Sequence, residues 1–347
     1  MPSKIRVGLI GLGRMGKIHA ENLIRYIDGV ELTNIVATEK SCSEAQVFFR
    51  RLGVSPFIHV KGLDAERIFK DDKIEAVVIS TPTDTHAEIV IAAIKAGKHV
   101  FCEKPISFKY VELAELDKAI SENQDFEPRV QVGFNRRFDP DFFNMKRIVG
   151  NGTLGKIRKI KIISRDPYPP GEEYLKNSGG IFMDMTIHDF DMLCWLADSA
   201  PREIFATGIA NSLDIKELGD IDTAETIIVF ENGIIGTIDN CRYSVDGYDQ
   251  RIEVVGDKGK TFNKNHLRGN VSISLRDSTK TFPPKDFFKD RYKESFVNEL
   301  QAFFGAIREN KSVRVGVLDD RRAFFMAKAA QKSLKKNRPV KIDLEIS

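Results

Sequence analysis

The chain has 347 residues, enough for two domains with well-buried cores, and its 42% hydrophobic and 30% charged content is ordinary for a soluble globular protein. A formal net charge of +3 is too small to point to nucleic acid or an anionic membrane, and no apolar run approaches the roughly 18 residues of a membrane span. Cys42, Cys102, Cys194 and Cys241 are scattered without a Cys-x-x-Cys spacing, which predicts reduced thiols in a cytoplasmic protein and no zinc or other metal site.

Met1-Pro2-Ser3-Lys4 leads straight into a strand pattern, so no signal peptide is expected. Short apolar runs then alternate with helical patterns, the signature of a parallel βαβ sheet. Strands are expected at 5–10, 32–37, 76–80, 99–102 and 129–133, with helices at 17–27, 86–96 and 110–122. Gly97 closes the second of these helices, and Thr81-Pro82 ends the third strand because proline cannot continue a central strand. A helix near 139–149 follows, and the pattern changes. Strands are expected at 157–164, 203–210, 223–230, 234–243 and 251–255, with Asn232-Gly233 as a hairpin turn between two alternating runs. Helices near 293–309 and 319–335 close the chain, and Lys335-Lys336-Asn337-Arg338 reads as a solvated helix end. The fold class is therefore α/β: a dinucleotide-binding domain over 1–134, then an α+β domain over 135–347 built on a large, mainly antiparallel sheet.

Gly11-Leu12-Gly13-Arg14-Met15-Gly16 follows a strand and opens a helix. In a G-x-G-x-x-G motif so placed, the first glycine allows the tight turn and the second admits the pyrophosphate. The third lets helix and strand pack closely, and the helix N-terminus offers unpaired N–H groups to the phosphates. Glu39, just past the second strand, is placed to hydrogen-bond the adenine ribose and to repel a 2′-phosphate, which favours NAD. Lys40 beside it leaves NADP open. The alternatives are a structural turn and a surface carboxylate.

Glu103-Lys104-Pro105 sits at the carboxyl end of a strand, the edge where open α/β sheets bind ligands. A lysine there can reach a substrate hydroxyl; taken alone it is equally a surface charge. Further on, Asp184 and His188 stand four apart in a helical pattern and so share a face. A carboxylate and an imidazole together suit general acid–base work near neutrality, although an N-terminal helix charge and a buried core histidine would give the same letters. Asp189 and Asp191 are ambiguous: Asp191 could orient His188 or pair with a cation. Arg291 and Tyr292 precede a late helix and are weaker candidates. Phe190, Leu193 and Trp195 read as helix core, and His19 and His86 are given no catalytic role.

Several further runs stand beside these motifs. They are Ser80-Thr81-Pro82-Thr83 with His86, the run Ala96 to Pro105, Gln131-Val132-Gly133-Phe134-Asn135-Arg136-Arg137-Phe138-Asp139, Ser164-Arg165-Asp166-Pro167, and Ser178-Gly179-Gly180 with Asp184 and His188-Asp189. On these residues the chain resembles the glucose–fructose oxidoreductase/inositol dehydrogenase (Gfo/Idh/MocA) family over nearly its whole length, and most closely its inositol 2-dehydrogenase branch. The resemblance implies an NAD-dependent dehydrogenase that oxidises a secondary hydroxyl of a cyclic polyol, with myo-inositol the leading substrate. Scyllo-inositol or an aldose is the nearest alternative, and a non-catalytic NAD(P)-binding regulator the more distant one. Lys104 would hydrogen-bond the reacting oxygen, His188 would be the general acid–base, and Asp184 would orient His188 or bind a hydroxyl. Arg136 would bind substrate hydroxyls, Thr81 and Pro82 would line the nicotinamide site, and Glu103 would contact the nicotinamide ribose. The Lys104–Pro105 bond would be cis. Apolar residues on the open face of the second sheet (Ile227, Val229, Ile235) would pack between subunits of a homo-oligomer, a tetramer.

Overall fold

The computed structural model describes residues 4–55, 57–60, 65–123 and 126–344. Met1-Pro2-Ser3, on which the expectation about a signal peptide rests, lies outside them. The chain forms two compact units. Among the described residues, one contains those up to Asn135 together with Glu294–Arg321; the other contains Arg136–Lys293 and residues 322–344.

The first unit runs β1 (Ile5–Ile10), α1 (Arg14–Arg25), β2 (Val30–Ala37), α2 (Glu39–Arg51), β3 (Phe57–Val60), α3 (Glu66–Phe69), β4 (Ala76–Ile79), α4 (His86–Lys95), β5 (His99–Cys102), α5 (Tyr110–Glu122) and β6 (Val130–Val132). The six strands pair in parallel in the order β3-β2-β1-β4-β5-β6. All four residues of β4 are buried, as a strand covered on both faces requires, and its sequence is a continuous apolar run. Strand order reverses between β1 and β4, and the crevice outside the carboxyl ends at that point is where such sheets take their ligands. The elements α2, β3 and α3 were not among those expected from periodicity.

The second unit runs α6 (Pro140–Gly150), β7 (Ile157–Arg165), α7 (Glu172–Asn177), α8 (Ile181–Asp184), α9 (Thr186–Ala197), β8 (Pro201–Ile209), α10 (Leu213–Glu217), β9 (Thr223–Phe230), β10 (Ile235–Cys241), β11 (Asp249–Gly256), β12 (Lys260–Phe262), β13 (Ser272–Leu275), β14 (Ser278–Thr281) and α11 (Phe288–Arg291). Asp139 caps α6, its Oδ1 accepting from the N–H of Asp141 and of Phe142 with Pro140 in the first turn. The large sheet has the order β12-β11-β7-β10-β9-β8-β15, with β15 at Val340–Lys341. Its pairs are antiparallel apart from β7–β10. The Asn232-Gly233 turn joins β9 to β10 as expected: Gly233 has a φ of 84° and Asn232 Oδ1 accepts from the N–H of Ile234. One face of the sheet buries Ile162, Ile228, Phe230 and Ile238, while on the other Ile227 is 46% and Ile235 43% exposed.

The reading that places everything after Phe134 in the second domain departs from the structure at α12 (Lys293–Arg308). Leu300, Phe303 and Phe304 of this helix pack into the first unit's core with Ile5, Val7, Leu23 and Phe101. Its apolar stripe is as readable as any other, but a helical stripe does not say which sheet it covers. Helix α13 (Val317–Lys336) begins in the first unit and continues in the second.

Candidate active site

In the first unit the glycine motif has the geometry its spacing implies. Gly11 has a φ of +95°, and a Cβ there would lie 2.7 Å from the Ser80 carbonyl; one on Gly16 would lie 2.1 Å from the Gly11 oxygen. Gly13 has no atom within 4 Å of where its Cβ would be, so the space over the turn is open. Arg14 and Met15 begin α1, and among the described residues no side chain caps that helix, which leaves its first N–H groups for a bound anion. Glu39 is the first residue of α2, just beyond β2. An open turn, an uncapped helix N-terminus and a carboxylate past the second strand fit a dinucleotide.

Thr81 and Pro82 follow β4, and Glu103-Lys104-Pro105 follows β5. His86 ties the two strand ends together: its Nδ1 lies 2.9 Å from the Pro105 oxygen and its Nε2 2.9 Å from the Thr81 oxygen. Burial lowers its pKa, and in its neutral form the ring donates to one carbonyl at a time. His86, given no catalytic role from sequence, thus braces the loop that carries Lys104. The Lys104–Pro105 peptide is cis. Glu103 Oε1 lies 2.6 Å from His19 Nε2. With Glu299 these residues bring a ring nitrogen and two carboxylate oxygens within 4.8 Å of one another. Burial and the charge of Glu103 push the Glu299 carboxyl well above its usual range, which favours its protonated form.

In the second unit, α8 and α9 run almost continuously through Met185. Between Ile181 and Ala197, a fully described stretch, Asp184, His188 and Trp195 alone escape burial. Their spacing of four and seven residues puts them on one face. Tyr174 donates to Asp184 Oδ1 at 2.7 Å, and Arg242 Nη1 donates to Oδ2 at 3.2 Å. Asp166, at the end of β7, has its carboxyl pushed up to about 7 by burial, with Asp184 adding to the shift and Arg242 opposing it. Asp184, through a hydrogen bond, and Asp166, through its charge, both act on one buried guanidinium.

The remaining candidates are held in ion pairs or buried in the second unit. Arg136 Nη1 lies 2.5 Å from Asp189 Oδ1, and its Nη2 donates to Ser164 Oγ. Arg137 forms a two-point pair with Asp191, at 2.8 and 2.5 Å, so Asp191 takes the cation-pairing role of its two readings. Arg291 pairs with Asp139 at 2.5 Å, and Tyr292 is buried beneath its guanidinium, 4.7 Å from ring centroid to Arg291 Cζ. Phe190 and Leu193 are fully buried core. A polar groove of about 680 Å³ beside Asp141, Asn144, Lys264 and His266 contains none of the anticipated residues. Tyr174, Asp166 and Arg242 were not assigned roles from sequence. The Arg165-Asp166-Pro167 run marked Asp166 as notable, whereas nothing local signals that Arg242 faces Asp184.

The profile of an oxidoreductase family with an NAD-binding Rossmann fold matches residues 5–134, and that of the Gfo/Idh/MocA C-terminal domain matches 142–261. The chain belongs to the Gfo/Idh/MocA family. Among its relatives, the myo-inositol 2-dehydrogenase of Thermotoga maritima is 40% identical over 98% of this chain and 99% of its own. The crystal structure of a myo-inositol dehydrogenase from Corynebacterium glutamicum superposes with a TM-score of 0.90 at 32% identity, covering 98% of this chain and 99% of that one. A scyllo-inositol dehydrogenase from Lactobacillus casei, crystallised with NAD(H) and scyllo-inositol, matches with a TM-score of 0.88 at 29% identity over 98% and 99% of the two chains. The family accounts for an NAD-binding Rossmann domain and a mixed-sheet second domain, and the enzyme class is oxidoreductase. No helix among the described residues is long and apolar enough to cross a membrane.

Proposed function

We propose that the protein is an NAD-dependent inositol dehydrogenase that oxidises the axial secondary alcohol of myo-inositol to the 2-keto product. The observation that carries the chemistry is the pair Asp184 and His188, left accessible together with Trp195 on a helical segment whose other residues are buried. The relatives carry the substrate class. When bound, the nicotinamide accepts the hydride that leaves the carbinol carbon. The protein must then take the hydroxyl proton and stabilise the oxygen as it becomes a carbonyl. His188 accepts that proton as general base. Lys104 donates a hydrogen bond to the same oxygen, which makes a metal unnecessary. Asp184 orients the imidazole. Thr81 and Pro82 line the nicotinamide position, and Glu103 contacts its ribose while His19 holds the carboxylate's other side. Arg136 is spent on Asp189 and Ser164, and shapes the floor under the substrate through them.

The same site accepts a scyllo-inositol in principle, and the scyllo-specific relative keeps that reading in view. We further propose a cytoplasmic homotetramer in which Ile227, Val229 and Ile235 meet a second copy. The deciding experiment measures initial rates of NAD and NADP reduction across inositol stereoisomers and aldoses. A dominant myo-inositol rate with NAD is expected. Turnover confined to scyllo-inositol or an aldose would move the substrate, and tight nucleotide binding without turnover on any of them would overturn the enzyme reading.

A further inference from the structure

Arg242 follows β10, and its side chain is fully buried. Such a cation is costly unless carboxylates surround it. Its Nη1 donates to Asp184 Oδ2 at 3.2 Å, and its Nη2 stands 3.9 Å from Asp220 Oδ2, beyond hydrogen-bond reach. Its Nε and Nη2 find no hydrogen-bond acceptor among the described residues. Asp220 Oδ1 in turn accepts from the N–H of Ile181, the first residue of α8. One guanidinium therefore faces both ends of a four-residue helix: the carboxylate that caps its start, and Asp184 at its finish. The other oxygen of Asp184 is held by Tyr174 from α7.

We propose that Arg242 is a positioning residue of the reaction, fixing Asp184 in the single orientation in which it aligns His188. The inference rests on the proposed dehydrogenase function and deepens it. The Asp184 carboxylate is gripped from the residue after β10 and from α7. The ionisable groups facing the cluster are Asp166 from β7, Tyr174 from α7, Asp220 from the loop before β9, and His188 from α9, with Arg136 and Asp189 acting on Asp166 from further off.

The test compares Arg242→Met and Arg242→Lys with wild type and with Asp184→Asn. For Arg242→Met, kcat is expected to fall about 10²-fold, the cost of misplacing a catalytic group, while the KM for NAD stays unchanged. The acid limb of kcat/KM should move to higher pH, because loss of the guanidinium charge beside Asp184 makes protonation of the acid–base site easier. Arg242→Lys, keeping the cation, should recover most of the rate and the wild-type profile. A purely structural role would lower stability and leave the pH profile in place. Should Arg242→Met not fold, Arg242→Gln and Arg242→Lys make the same comparison, and equal rates and profiles for the two would overturn the proposal. Independently of turnover, the His188 ring resonances should shift in the Arg242 variant as they do in Asp184→Asn. A shift in Asp184→Asn without one in the Arg242 variant overturns the positioning role. Wild-type rates in Asp184→Asn would instead overturn the assignment of Asp184 itself.

Discussion

Arg136 and Asp189 meet at 2.5 Å with side chains 5% and 0% exposed, and Asn240 from β10 donates to the carboxylate's second oxygen at 2.9 Å. The pair pins α9 to the sheet, and it explains why Arg136, a natural candidate for binding substrate hydroxyls, is engaged behind the accessible face. Breaking a buried pair strands a charge, which typically costs about 3–5 kcal/mol. Arg136→Gln should therefore lower the Tm markedly, whereas a substitution that only weakened substrate binding would raise KM at unchanged stability. Thermal melts alongside kinetics separate the two.

His188→Ala should reduce kcat by about 10²–10⁴-fold, the range for loss of a positioned general base, with nucleotide affinity retained. Asp184→Asn keeps the shape and removes the charge, and should give a smaller loss. Single-turnover rates with NAD prebound check both. Equal, small effects would assign the pair to structure.

Gly16→Ala introduces a Cβ 2.1 Å from the Gly11 oxygen, a separation no relaxed backbone tolerates. The turn that opens α1 must shift, so NAD affinity should fall at least about tenfold while the second unit's sheet is undisturbed. Gly13→Ala meets no protein atom, so any loss of affinity there reports on the bound nucleotide alone. Titration of NAD by fluorescence distinguishes the two variants.

Asp166 has a folded-state pKa of about 7 against an ordinary value of 3.8. Because the folded value is the higher one, the stabilising contribution is fully present below about 3.8 and disappears as pH rises through about 7. Asp166→Asn cannot ionise, so its Tm should lose less than that of wild type between pH 5 and pH 8. Parallel melts at several pH values give the comparison, and identical slopes would mean that Asp166 titrates normally.

Ile227 and Ile235 stand on the open face of the second sheet, with Val229 half-buried beside them. Ile227→Glu combined with Ile235→Glu should convert the assembly to smaller species in light scattering and leave the far-ultraviolet spectrum unchanged. A wild-type protein that is already monomeric at micromolar concentration would remove this role from the face.

Much of the fold was legible because its elements are locally consistent. The motif at Gly11, the continuous apolar run of β4, the Asn232-Gly233 hairpin and the proline-led start of α6 each specify their conformation within a few residues. The placement of Lys104 at a strand end and of Asp184 and His188 on one helical face was legible for the same reason. What escaped was set by long-range packing. His86 bridges two carbonyls 5 and 19 residues away, Arg242 reaches Asp184 across 58 residues, and Glu299 comes up beside Glu103 from the far end of the chain. None of these partners leaves a trace in spacing or periodicity. Helix α2 was missed because Ser41, Cys42 and Ser43 are weak helix formers placed at its start, and its stability comes from burying Ala45 and Phe49.

The return of α12 to the first unit sets the order in which this protein can be made. Leu300, Phe303 and Phe304 leave the ribosome only after every strand of the large sheet except β15 has been synthesised, so the nucleotide-binding core stays incomplete until about nine-tenths of the chain exists. A gene fragment ending at Phe134 would expose Phe101 and its neighbours instead of covering them, and is expected to aggregate more readily than the full chain.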